Sequence, residues 1–145
     1  AVGLIASMFR PSDDATLFGF LILSNIFAMI SLRQVASIYR EQGFDLNFSK
    51  ECENFANEIE NAVKKYAVQE HLNFGKIYAY EVDGFGNKLF MDDANVPSLM
   101  SLAYLDEEFK KFAYRSAKTI HERHSWSSVA TSIIERYNEF EKKQN

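Results

Sequence analysis

Phe18, Leu21, Ile22, Ile26, Met29, Leu32 and Ala36 recur at helical spacing, with Asn25 and Arg33 on the same turns, and predict a helix reaching about Tyr39. Its first half is apolar nearly all round, so it reads as a buried inner helix. Pro11 blocks a helix running in from the apolar lead-in of residues 1–8, and Ser12 or Asp13 is placed as N-cap. Gly43 closes this helix. A second one, capped by Ser49, carries Cys52, Phe55, Ala56, Ile59, Val63 and Tyr66 on one side and Glu51, Glu53, Glu58, Glu60, Lys64 and Lys65 on the other. It reads as an outer, half-exposed helix.

The pattern then breaks. Lys76–Tyr80 has apolar residues at alternate and adjacent places and reads as extended. The stretch from Tyr80 to Leu99 is the least helical of the chain. Gly84 and Gly86, with Asp83 and Asn87 beside them, predict a turn, and Pro97 suits the first turn of a short helix or turn reaching Leu105. Beyond Asp106 two amphipathic stripes return, one through Phe109, Phe112, Ala113, Ser116, Ala117 and Ile120, the other through Trp126, Val129, Ala130, Ile133, Ile134, Tyr137 and Phe140. The expectation is an all-α single domain of five to six helices, organised around one long irregular loop where function would sit.

Composition narrows the classes. With 145 residues, 47% hydrophobic and 14% aromatic, the chain is long and apolar enough for one domain with a core, not a disordered segment. A net charge of −4 without a basic cluster argues against a nucleic-acid partner. Leu17–Ile30 is strongly apolar, but it is short for a span and contains Ser24 and Asn25, which favours a core helix over a membrane helix. The single cysteine, Cys52, excludes an internal disulfide framework and falls on an apolar helix side as a buried thiol.

Carboxylates carry the candidate chemistry: the pairs Asp13-Asp14 and Asp92-Asp93, with Glu81 and Asp83. A carboxyl group held near other carboxylates or in an apolar pocket has its pKa raised, as a general acid at neutral pH requires, and glycoside hydrolysis sets two such groups across the scissile bond. Helix capping is the competing role for Asp13, Asp92 and Asp93 and the commoner one. The acids lack the alternating oxygen ligands of a calcium loop, and His71, His121 and His124 lack metal-ligand spacing, so no metal or other cofactor is expected. Gly84-Phe85-Gly86 has no strand-glycine-helix unit around it and is not read as a nucleotide loop. Arg10 and Arg33 are clamp or ion-pair residues.

Phe9-Arg10-Pro11-Ser12-Asp13-Asp14-Ala15, Tyr80-Glu81-Val82-Asp83-Gly84-Phe85-Gly86-Asn87 and Met91-Asp92-Asp93-Ala94-Asn95-Val96-Pro97-Ser98-Leu99 together resemble glycoside hydrolase family 125, the metal-independent exo-α-1,6-mannosidases. The likeness takes in about residues 3 to 105. It implies an (α/α)6 toroid, here partial, and an inverting reaction on a mannoside. It also implies a catalytic aspartate in the Arg-Pro-Ser-Asp-Asp run, Asp13 or Asp14, and a mannose pocket lined by Arg10, Asp83, Asn87, Asp92, Asp93 and Asn95. The family's base, a glutamate in its C-terminal third, is not expected here, and Glu81 is the only nearby substitute. Half a toroid cannot close, so either the helices collapse into a bundle or two copies complete each other as a homodimer.

Residues 106–145 resemble instead the closing helices of two-lobed glycosyltransferases, and Gly19, Leu23 and Ala103 stand where the family has proline. The alternative reading is therefore a non-catalytic, chimeric helical protein with inherited sugar-site motifs.

Overall fold

The apolar run becomes a helix later than its periodicity suggests. In the computed structural model, which describes residues 2–72, 74–93, 95–99, 101–105, 110 and 131, Phe20–Leu21 is a short strand, β1, and Ile22–Glu41 is the helix α1. α1 starts from an extended Leu21 without a side-chain cap. It buries Ile22, Leu23, Ile26, Met29 and Ile30. By length and composition it is the one helix among the described residues that could cross a membrane, a test that core helices also pass. Here its apolar side packs on α2 and the neighbouring strands.

The end of α1 follows from one glycine. Gly43 sits at φ +67°, its N–H donates to the Arg40 carbonyl, and the Phe44 N–H reaches the Tyr39 carbonyl at 2.9 Å. These two bonds form a Schellman closure, which satisfies carbonyls the helix would leave open. The second helix, α2, spans Leu46–Tyr66 and is capped by Asp45, whose carboxylate accepts from the N–H groups of Asn47 and Phe48. Ser49, expected as the cap, is instead buried and donates to the Ala36 carbonyl at 2.7 Å. α1 and α2 run antiparallel, as the pairs Arg33–Glu60 and Arg40–Glu53 require. Cys52, Ala56, Ile59, Ala62 and Val63 fill the seam, and Cys52 is buried as expected.

The all-α expectation is overturned by two small antiparallel sheets. Val68–His71 (β2) pairs with Gly75–Tyr78 (β3) as a hairpin, Val68 opposite Tyr78 and His71 opposite Gly75. Glu81–Val82 (β4) lies between β1 and Lys88–Leu89 (β5). These strands are two to four residues long, too short to show a period of two, which is why helical spacing dominated the reading. The described chain is thus α+β, a helical hairpin with two small sheets, and not an all-α toroid or bundle of five to six helices. Beyond Lys88–Leu89 the described helix is a single turn, α3, Leu102–Leu105, entered through Ser98 and Ser101, each of whose backbone N–H groups donates to the other's hydroxyl. The expected helices of residues 106–145 lie outside the described residues.

The lead-in is not loose. Buried Asn25 accepts the Ile5 N–H at 2.8 Å and donates to the carbonyls of Ile5 and Leu21, fastening the first residues to α1. β4 is held on its other flank as well: the Ile22 N–H donates to the Tyr80 carbonyl and the Tyr80 N–H to that of Leu89. The segments around residues 10 and 80 therefore meet above the end of the core.

Candidate active site

Residues 9–15 form a tight hairpin, not the start of a helix. Phe9 and Ala15 make an antiparallel bridge, the Asp13 N–H donates to the Arg10 carbonyl, and the Arg10 N–H donates to the Asp14 carbonyl. Pro11 occupies the second position of that turn, where its fixed φ fits, and Asp13 takes the left-handed position at φ +67°, which Asp tolerates better than most residues. Asp13 is therefore spent on the exposed tip, and the expected cap is absent. Asp14 follows it, also exposed.

One ion pair docks this hairpin on the sheet. Arg10 Nε donates to Glu81 Oε1 at 2.7 Å, and Glu81 Oε2 accepts the N–H groups of Leu17 and Phe18 at 2.7 and 2.9 Å. Glu81 is fully buried. Three donors on one carboxylate hold it in place, so it braces the loop and does not fit the role of a base that activates water. The same bond raises the Arg10 pKa above its ordinary value.

The second carboxylate pair comes in from the 90s. Asp93 accepts the Asn95 N–H and side-chain amide, Asp92 accepts the Leu99 N–H, and together they fold residues 92–99 rather than cap a helix. Ser12 stands where the two loops meet: its Oγ donates to Asp14 Oδ2 at 3.3 Å. The Ser12 hydroxyl is also the main reason Asp93 titrates below the usual carboxylate range, with the Asn95 bonds adding to it. Arg10, Asp14 and Asp93 thus share one electrostatic neighbourhood.

Asp83 and Asn87 are placed differently. Asp83 Oδ1 accepts the N–H groups of Phe85, Gly86 and Asn87, and its other oxygen takes the Asn87 side-chain amide at 2.6 Å. The Phe85 N–H, then the Asn87 amide, pull the Asp83 pKa down. Both side chains are committed to their own turn. Gly84 takes φ +79°, which would strain a side chain there, and a Cβ would also stand 3.1 Å from the Val2 methyls.

Two residues of this neighbourhood are not evident from the sequence. Ser12 is legible only as a capping candidate, and Tyr80 looks like one more core aromatic beside Glu81. Tyr80 is fully buried, with the Arg10 guanidinium carbon 5.6 Å from its ring centroid, and its Oη finds no hydrogen-bond partner among the described residues. Burial first, then the charge of Asp93, pushes its pKa up to about 12. No group of three His, Cys, Asp or Glu among the described residues is placed to hold a metal ion.

Comparison with known proteins gives this arrangement a lineage. Residues 1–123 match the family model of the metal-independent α-mannosidases, GH125, past the limit near residue 105 set by the motifs. The chain is similar to the meiotically up-regulated gene 157 protein of Schizosaccharomyces pombe (strain 972 / ATCC 24843), 43% identical over 102 residues, which are 70% of this chain and 20% of that protein. Among solved structures it is similar to a Streptococcus pneumoniae metal-independent α-mannosidase held in a non-productive complex with α-1,6-mannobiose. That match has a TM-score of 0.68 and 37% identity, and covers 78% of this chain and 28% of the other. The chain spans less than a third of either relative's length. The hairpin bearing Arg10 to Asp14, the buried Glu81 beneath it and the family match over residues 1–123 together place the chain in glycoside hydrolase family 125, the metal-independent α-mannosidases.

Proposed function

We propose that the chain forms the acid-bearing part of an α-mannosidase site, with Asp14 as the general acid that protonates the departing glycosidic oxygen. The observation that carries this is the docking of the residue-10 hairpin on the strand at residue 81 through Arg10–Glu81, which brings Arg10, Asp14 and Asp93 from distant parts of the chain within one another's electrostatic reach. Asp13 serves the turn and Asp14 the chemistry, because the left-handed residue fixes the tip while its successor stands beside Ser12. Arg10, Asp92, Asp93 and Asn95 line the sugar pocket; Asp83 and Asn87 shape the loop at its edge. In an inverting reaction a second carboxylate takes a proton from water as Asp14 gives one to the leaving oxygen. Glu81, held by three donors, is not assigned that role.

The test is binding of α-1,6-mannobiose, followed by backbone NMR, beside mannose release by the parent chain, Asp13→Asn and Asp14→Asn. The expected result is saturable shifts confined to residues 10–16 and 80–99. Any release falls by about 10²-fold or more in Asp14→Asn, the usual contribution of a positioned acid, and is kept in Asp13→Asn, since Asn also tolerates the left-handed turn. A folded parent chain without shifts at either loop sinks the proposal. It would leave the second reading, a non-catalytic scaffold, which the self-satisfied Asp83–Asn87 turn favours.

A further inference from the structure

We infer that the face of α1 from Phe27 to Ile38 is a docking surface for residues 106–123 of the same chain, which meet it through their apolar stripe from Phe109 to Ile120. The inference is independent of the mannoside reading, since it concerns the wall of the core and not the sugar loops.

A helix that is apolar nearly all round calls for cover on every side, and the described residues leave one side of α1 largely bare. Between Ser24 and Ile38 the only charge is Arg33, and it is turned to α2, where it pairs with Glu60 at 2.6 Å. Phe27, Ser31, Gln34 and Ile38 recur at helical spacing on the side opposite Arg33. There Phe27 is 44% and Ile38 54% exposed, with Ser31 and Val35 half-buried beside them. A contiguous helix face with apolar side chains in water and no charge to solvate it is a contact surface.

The chain itself supplies the cover. α3 touches α1, with Leu102 buried and Leu105 packed against the core, so residue 106 leaves from beside the helix in need of a partner. The family match runs to residue 123 and takes the stripe into the same domain as α1. Lys110, the described residue of this segment, has helical backbone, is exposed, and lies off the stripe. Lys111, Arg115 and Lys118 fall off it as well, so the spacing puts the segment's charges opposite its apolar side, as an outer helix requires. The two surfaces also agree in length. Phe109 to Ile120 and Phe27 to Ile38 span the same number of residues, about 16 Å of helix.

The experiment is NMR on the full chain, seeking NOEs from the Phe27 ring and the Ile38 methyls. A second sample, mixing labelled with unlabelled chain, separates contacts within a molecule from contacts between molecules. The expected result is NOEs from both residues to Phe109, Phe112 or Ile120 within one molecule. In Phe112→Asp the amide shifts of Phe27, Ser31 and Ile38 should move while those of Cys52 and Ala56, in the α1–α2 seam, hold; Lys110→Asp, off the stripe, should move neither set. A folded parent chain without those NOEs overturns the inference. So does a sample in which they pass only between molecules and sedimentation shows a dimer, because a second copy then covers the face. Shifts in Phe112→Asp confined to the seam place the stripe elsewhere and overturn it too. The parent's NOEs decide the matter even where Phe112→Asp fails to fold, and no outcome bears on sugar binding.

Discussion

Glu81 shows how far a single carboxylate can be committed. Its oxygens receive a guanidinium and two backbone N–H groups in a place closed to solvent, so any change that removes its charge leaves Arg10 without its buried counter-ion. Glu81→Gln is expected to destabilise the chain by about 3 kcal/mol, the range for breaking one side of a buried pair, as measured by urea unfolding. Asp83 makes a milder statement, through pH. Its pKa is depressed from 3.8 in the folded chain by the Phe85 N–H and the Asn87 amide, so its stabilisation is complete above that value and is lost as pH falls through the lower folded value. Stability measured from pH 5 to pH 2 should therefore decline less steeply in Asp83→Asn than in the parent; an unchanged slope would show that the turn does not need the charge. At this scale the carboxylate pairs were visible in a string of letters. The backbone that sets Asp13 apart from Asp14, a left-handed position closing the three-residue turn after Arg10, was not, and the proposal of Asp14 as acid rests on it.

Between elements, the two helices were read nearly in full and their boundaries in part. The apolar stripe through Cys52, Ala56, Ile59 and Val63 packs as its spacing required, and Gly43 ends α1 where a glycine should. The start of α1 was missed because Ser12 and Asp13 look like caps, yet a proline at the second position of a turn is satisfied equally by a hairpin. Lys76–Tyr80 was read as extended and holds most of β3, but the other strands were missed because backbone pairing, not side-chain periodicity, defines them: Glu81 and Val82 are both buried in the middle of three strands and never alternate. Gly43→Ala should cost about 1 kcal/mol although open space surrounds the position, since the penalty comes from φ +67° and not from a clash. Asp45→Ala should cost about 1 kcal/mol through loss of the α2 cap. Ser49→Ala tests the misread cap: its effect should appear as a lost buried bond to Ala36 and leave the exchange rates of the Asn47 and Phe48 amides unchanged.

For the whole molecule, the resemblance carried by three short runs pointed to the right family, while the toroid it implied did not describe this chain, whose matched region spans 28% of the solved relative. Family motifs report the loops that do chemistry; they say little about how a portion of the parent fold closes its own core. The way Arg10 meets Glu81 has a temporal meaning too. The partners stand 71 residues apart in sequence, whereas the α1–α2 hairpin is built from near neighbours and a short connection. The Arg10–Glu81 contact is expected to form after the transition state, because closing so long a loop costs entropy before the contact repays it. Arg10→Ala should accordingly leave the refolding rate nearly unchanged in stopped-flow measurements while raising the unfolding rate by about tenfold or more. The loops joined by Arg10 and Glu81 are then the last part of the chain to be assembled and the first to come apart.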